Sequence, residues 1–335
     1  MSNLFKVSQS KVKLWRRCRQ AYHYKYVEKL RKKRKSRPLV FGTLVHMMIE
    51  ADANGHDPFD VLRSLDPKQM KLFAAEKAQY GELLQDVSDI MEEYFNHWED
   101  SDLRYIRKAG KAAEHSFEIE IVPGILWNGK IDAIAKSGNG LRWLVEHKTF
   151  NRKPTDDDRW RNLQSVSYFR AMDILGWKPV DGTLWDYIWS KAPRRPALLK
   201  DGTLSKKSID TLPVAVAAAI KEYALDPREY REYKRSVAAN RKQWFQRIYT
   251  PVKPEVSKAV FSDFIASAVE MRELHGKVKE KNIERHCTWC DFEPLCRAQM
   301  QGNDFDYIKE REYETSDRPE QESDAHFVAY EDIEE

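Results

Sequence analysis

The spacing of apolar residues changes period just after residue 108, and that change constrains the fold more than any other feature of the chain. Upstream, residues 58–108 carry Leu83, Leu84, Val87, Ile90, Met91, Tyr94 and Phe95 at helical spacing. Downstream, "HSFEIEIVPG" alternates Phe117, Ile119 and Ile121 with polar partners. "ILWNGKIDAIAK" and "LRWLVEHKTF" follow it, separated by the turn-rich "SGNG". Three consecutive strands in a meander are the simplest reading. A helical pattern returns from Arg159 to Leu175, before a further strand at "GTLWDYIWSK". Helices on either side of strands predict an α/β fold, and 335 residues with 41% hydrophobic content supply its core.

Two of these strands carry charge where apolar neighbours predict burial. Side chains alternate along a strand, so Glu146 and Lys148 point to one side and Val145 and His147 to the other. If Asp132 lies beside them, two carboxylates and an ammonium converge on a place suited to a hard divalent cation, Mg²⁺ or Mn²⁺. Such an ion polarises a phosphodiester and lowers the pKa of a bound water, and Lys148 can orient that water or stabilise developing charge. The competing reading is a salt-bridged surface strand. Against it stand Ile131, Ile134, Leu144 and Val145, which predict a buried strand centre where unpaired charge is expensive.

Elsewhere the chain is polarised. From Met1 to Val40 there are fourteen Lys or Arg and one acid, Glu28, whereas from Gly302 to Glu335 there are thirteen acids and three cations. The basic arm, interleaved with Trp15, Tyr22, Tyr24 and Tyr26, suits a polyanion, because cations displace counterions from phosphates and rings stack on bases. A solvated helix face is the alternative. After the helical "SQSKVKLWRRCRQAYHYKYVEKL", the run "RKKRKSRP" predicts an exposed, mobile loop, and a helix resumes at "GTLVHMMIEA". Residues 213–275 read as mostly helical, with breaks at Pro227 and between Pro251 and Pro254. The acidic tail predicts disorder. Three of the four cysteines fall in "CTWCDFEPLC", Cys287, Cys290 and Cys296. Cysteine is otherwise rare, so they read as metal ligands rather than a disulfide framework. Three thiolates leave one ligand open, and His286 and the distant Cys18 are the candidates.

Taken in order, the motifs resemble the PD-(D/E)XK nuclease superfamily, and within it the RecB-like branch, with its CRISPR-associated RecB-like and AddB-type exonucleases. The opening helix from Ser8 to Val27 is similar to that family's first helix. Then come "GTLVH" with His46, "GKIDAI" with Asp132, "EHK" with Glu146 and Lys148, "QSVSY" with Gln164 and Tyr168, and the cysteine segment. The resemblance implies a restriction-endonuclease-like core, a central mixed sheet flanked by helices, with extra helices and a C-terminal iron-sulfur segment. It implies that His46, Asp132, Glu146 and the backbone carbonyl of His147 hold the metal, that Lys148 assists the attacking water, and that Gln164 and Tyr168 contact the substrate strand. Glu114 resembles a family acid at that place, with a structural salt bridge as the equal alternative. Cys18, Cys287, Cys290 and Cys296 then hold a 4Fe-4S cluster, with zinc as the alternative. Arg19 stands where the family pattern has a proline.

The expected division is a basic helix over 1–40, a nuclease core over 41–190, a helical and cysteine-bearing region over 191–300, and a flexible acidic tail over 301–335. The expected activity is exonucleolytic hydrolysis of DNA, on single strands or duplex ends, in recombination, repair or phage DNA processing. A catalytically weak nucleic-acid-binding protein and a structure-specific endonuclease are the alternatives. No apolar run approaches the roughly 18 residues of a membrane span and no signal sequence is evident, so a cytoplasmic location is expected. The acidic tail is a candidate contact for a recombination or replication protein, or a screen for the basic arm.

Overall fold

The computed structural model describes residues 4–65, 74–160, 162–207, 209–251 and 253–316. The chain opens with β1 (Phe5–Val7) and α1 (Gln9–Arg17), which Ser8 caps by accepting the backbone N–H of Lys11. Cys18 stands extended between α1 and α2 (Arg19–Tyr22), and a π-helical turn (His23–Val27) continues the rod. Then come β2 (Leu30–Lys32), α3 (Arg37–Asn54), α4 (Asp60–Arg63) and α5 (Ala74–Trp98). β3 (Arg104–Tyr105), β4 (Ala113–Val122), β5 (Ile125–Lys136) and β6 (Arg142–Phe150) follow. The expected meander of β4, β5 and β6 is present, with both ladders antiparallel.

The helices α6 (Asp156–Trp160) and α7 (Leu163–Ile174) cross over to β7 (Gly182–Trp189), which therefore runs parallel to β6. α8 (Pro213–Glu222), α9 (Arg231–Ala238) and α10 (Arg241–Trp244) precede β8 (Phe245–Pro251). The chain continues through α11 (Pro254–Leu274), a 3₁₀ turn (Arg285–Trp289), α12 (Glu293–Gln301), α13 (Phe305–Glu312) and β9 (Tyr313–Thr315).

Seven strands make one mixed sheet along the path β1-β5-β6-β7-β8, with β3 and β4 also paired to β5. One detail of its register matters for the site. β4 covers one edge of β5 from Ile125 to Ala133, so β1, at Ile125–Trp127, and β6, at Ala133–Lys136, must share the other. Between them, residues 128–132 of that edge have no strand partner. The sheet is split there, and Asp132 sits at the lip.

Helices flank the sheet and close its core. Val12 and Trp15 of α1, Tyr168 of α7, Phe264 of α11 and Leu295 of α12 pack with Trp127, Ile131, Ile134 and Leu144, so both ends of the chain join one core. A second cluster joins α3 and α5 to Ile188, Trp244 and Phe245. Two glycines permit close approaches that set the site. A Cβ at Gly129 would drive into the Phe117 ring, and one at Gly42 would lie 3.2 Å from the Thr149 hydroxyl, so Gly42 lets α3 press against β6.

Several expectations are corrected. The stretch 213–275 is not helical throughout, because "FQRIYTP" forms β8 and pairs antiparallel with β7; its short alternation lies between helical patterns that mask it. The mobile loop expected at "RKKRKSRP" is partly strand. Arg31 and Lys32 pair through β2 with Glu314 and Tyr313 of β9, so residues up to 316 of the acidic tail are folded too. Three-residue strands joined across some 280 positions leave no periodic trace in either segment. Residues 317–335, with most of the expected disorder, lie outside the described residues. The basic arm is also not a stacking platform. Trp15, Tyr22 and Tyr24 are core residues, Arg19 pairs with Glu270, and Arg16 bonds Ser267 and the Asp263 carbonyl. Among the described residues, no helix is long and apolar enough to cross a membrane.

Candidate active site

At the split, three neighbouring strands place three carboxylates in a row. Ala113 pairs with Ala133 and His115 with Ile131, so Glu114 of β4 lies opposite Asp132. On the other side Ala133 pairs with Val145, which sets Glu146 of β6 opposite Asp132 in turn. The ladder stops at that pair, and the Asp132 side chain replaces it. Its Oδ2 accepts the backbone N–H of His147 at 2.9 Å. Thus the backbone of the residue after Glu146 is tied to the acid of the neighbouring strand.

His46 reaches this row from α3, its Nδ1 lying 3.8 Å from Glu114 Oε1 and 3.9 Å from Asp132 Oδ2. Ligand atoms of His46, Glu114 and Asp132 all fall within 4.8 Å of one another, the one such group among the described residues. Glu114 also pairs with Lys130 and adopts φ +58°, a left-handed conformation that a non-glycine residue holds only when its surroundings enforce it. Glu114 thus makes a salt bridge and also lies within the group of candidate metal ligands.

Glu146 is fully buried and touches Lys148 Nζ, but neither of its carboxylate oxygens makes a geometrically sound hydrogen bond. Burial, reinforced by Asp132, pushes its carboxyl up to about 7 against the opposing pull of Lys148. Burial works against the Lys148 ammonium, but Glu146 and Asp132 outweigh it and raise its pKa, so Lys148 stays charged. In His46 the same contest goes the same way: burial favours the neutral ring, but Asp132 and Glu114 win and raise its pKa. Orphaned buried carboxylate oxygens, an imidazole and two further acids form a donor set that fits Mg²⁺ or Mn²⁺.

The opposite face of β6 is different. The His147 ring faces Asp186, its register partner on β7, with Nδ1 to Oδ2 at 3.2 Å. Tyr94 donates its hydroxyl to Asp186, and Arg247 approaches the other oxygen at 3.7 Å while lying over the Trp98 ring. No motif announced this cluster, whose members come from α5, β6, β7 and β8.

On α7, Gln164 is half-buried in the first turn, where Asn162 accepts its backbone N–H. Tyr168, one turn on, is fully buried, edge-on to Phe117 at 5.5 Å and tilted against Trp127 at 6.3 Å. Burial, then Glu146 and Asp132, holds its phenol well above the usual range.

The cysteines gather at the far end. Gln20 N–H donates to Glu280 O, and the Asn282 amide donates to Arg17 O, which pins the Cys18 joint beside the segment leading to Cys287. All four thiols are free. Burial pushes the Cys296 thiol up to about 11, and the charges at Cys18, Cys290 and Cys287 add to that, so the four sulfurs are electrostatic neighbours. His286 instead lies 3.9 Å from Glu284.

A mixed sheet flanked by helices, split beside an acid–acid–lysine row, has the restriction-endonuclease-like architecture and a site for a metal-dependent nuclease. The family model described as the PD-(D/E)XK nuclease superfamily matches residues 6–297, and the chain belongs to that superfamily. No curated protein matches it. A solved structure described as "Crystal structure of SSO0001" is 13% identical over 77% of this chain and 84% of that chain, with a TM-score of 0.28. A likeness at that level carries no argument.

Proposed function

We propose that this nuclease is a RecB-like DNA exonuclease, and the observation that carries its metal-dependent chemistry is the buried Glu146 carboxylate, ion-paired with Lys148 and set opposite Asp132. His46, Asp132, Glu146 and the His147 carbonyl would hold Mg²⁺ or Mn²⁺, with Glu114 joining them through His46. The ion supplies Lewis acidity toward the phosphodiester and acidifies a water. Because its neighbours keep Lys148 protonated, this residue serves as a fixed cation that orients the nucleophile and offsets charge on the phosphoryl oxygens, rather than as a base. Of the two α7 motif residues, Gln164 is the one exposed enough to touch the strand. End-labelled single- and double-stranded DNA, incubated with Mg²⁺ or Mn²⁺, should release short products from an end. Internal cuts on circular DNA would replace the exonuclease with an endonuclease.

The cysteine end is proposed to hold a 4Fe-4S cluster that clasps Cys18 to Cys287, Cys290 and Cys296. Its role is structural, since a cross-link across so long a loop restricts the unfolded chain. The split of one distant cysteine and three clustered ones supports iron over zinc, because common structural zinc sites pair two local knuckles. Anaerobically purified protein should contain four irons, and Cys18→Ser should lose them. Zinc recovered in place of iron would overturn the cluster. The acidic tail is proposed as a contact for a recombination or replication protein.

A further inference from the structure

Beside Lys148 the surface opens into a cleft of about 500 Å³, between the end of β6, the loop after it, and β7. Lys148, Arg152, Lys153, Asn162, Trp185 and Tyr187 are among its walls. Three features distinguish it from an ordinary surface dent. Arg152 and Lys153 are exposed and have no acidic partner among the described residues, although the loop continues into three consecutive aspartates. The acid that does line the cleft, Asp158, is already engaged, its Oδ2 accepting the backbone N–H and the hydroxyl of Thr155 at 2.8 Å each. Finally, its wall includes two neighbouring aromatic side chains of β7, Trp185 and Tyr187.

We propose that this cleft is a binding subsite for one unpaired nucleotide of the substrate strand, next to the phosphate that is cut. Arg152 and Lys153 take the backbone phosphate at the rim. The nucleotide lies over a floor in which the Trp185 and Tyr187 rings are 6.1 Å apart and nearly parallel. The volume falls within the roughly 300–1,000 Å³ of small-ligand pockets. It has room for one nucleotide, and a base engaged with its complement is not free to enter, so the subsite makes the enzyme select a single strand or a frayed end over an intact duplex. This inference rests on the nuclease reading for its substrate, but its test needs no turnover.

The test is fluorescence anisotropy of the full chain with a labelled oligothymidylate of eight residues and with a blunt duplex, both in Ca²⁺. Arg152→Ala/Lys153→Ala should weaken oligothymidylate binding about tenfold. It should also flatten the dependence of log affinity on log salt by about 1.4, since each phosphate contact on a single strand contributes about 0.7. Duplex affinity should not change. Wild-type affinity and salt slope in the double variant overturn the subsite, and its residues are exposed enough that folding is not at issue. An equal loss for the duplex overturns its strand selectivity. If the wild-type protein binds as expected but cleaves nothing with Mg²⁺ or Mn²⁺, the nuclease reading fails and the subsite stands.

Discussion

The two faces of β6 carry the same kinds of residue in opposite states. On one face Glu146 and Lys148 touch, but the carboxylate oxygens lack hydrogen bonds, and the ammonium looks into an open cleft. On the other, His147 is enclosed with Asp186, and Tyr94 and Arg247 close the acid from α5 and β8. One face is sealed, with its acid enclosed by an imidazole, a phenol and a guanidinium, although His147 Nδ1, Asp186 Oδ1 and Arg247 Nε lack well-formed hydrogen bonds there too. The other opens beside a cleft. A strand two residues wide in period can do both at once, because its side chains alternate.

The largest expected effect lies on the open face. Asp132→Ala and Lys148→Ala should each lower cleavage by about a thousandfold, out of proportion to any loss of stability, and activity surviving both would remove the site. The sealed face should show the reverse bias. Asp186→Ala strands the Arg247 charge in the core and should cost about 3–5 kcal/mol of stability, read as a fall in denaturation midpoint. Activity loss without loss of stability would mean that the two faces are not divided in this way. Gly129→Ala drives a methyl into the Phe117 ring below Asp132 and should destabilise by about 1–3 kcal/mol, again by denaturant titration.

The smallest effect is a pH slope. Glu146 has a raised pKa, so it is protonated below about 7 and ionised above it, and only the ionised form offers a charged ligand. Mn²⁺ affinity, measured by calorimetry, should therefore rise about tenfold per pH unit on approach to 7 and flatten above it. Glu146→Gln should flatten that dependence; an unaltered slope would assign it to another group, such as His46.

Much of the open face was legible in the sequence. Alternation around "GKIDAIAK" and "LVEHKTF" places charges at buried strand centres, and Gly42 and Gly129 stand where their motifs require close packing. Glu114 was half legible: its acid type is visible, but its left-handed backbone and its place opposite Asp132 depend on register. The sealed face was illegible, because Tyr94, His147, Asp186 and Arg247 share no spacing and meet only through pairing of β6 with β7 and β7 with β8. Likewise the aromatic residues of the N-terminal arm look the same in sequence whether they face solvent or, as here, the core.

By itself the sequence determined the α/β class, the meander and the acids and lysine that define the superfamily, because period and residue type are local properties. Tertiary structure decided the rest. It set the split between β1 and β6 that exposes Asp132, the pairing of β2 with β9 that folds the start of the acidic tail, and the approach of Cys18 to the last three cysteines. Each of these joins segments far apart in the chain, where the entropy of closing a long loop is met by burial and ladder pairing rather than by any local preference.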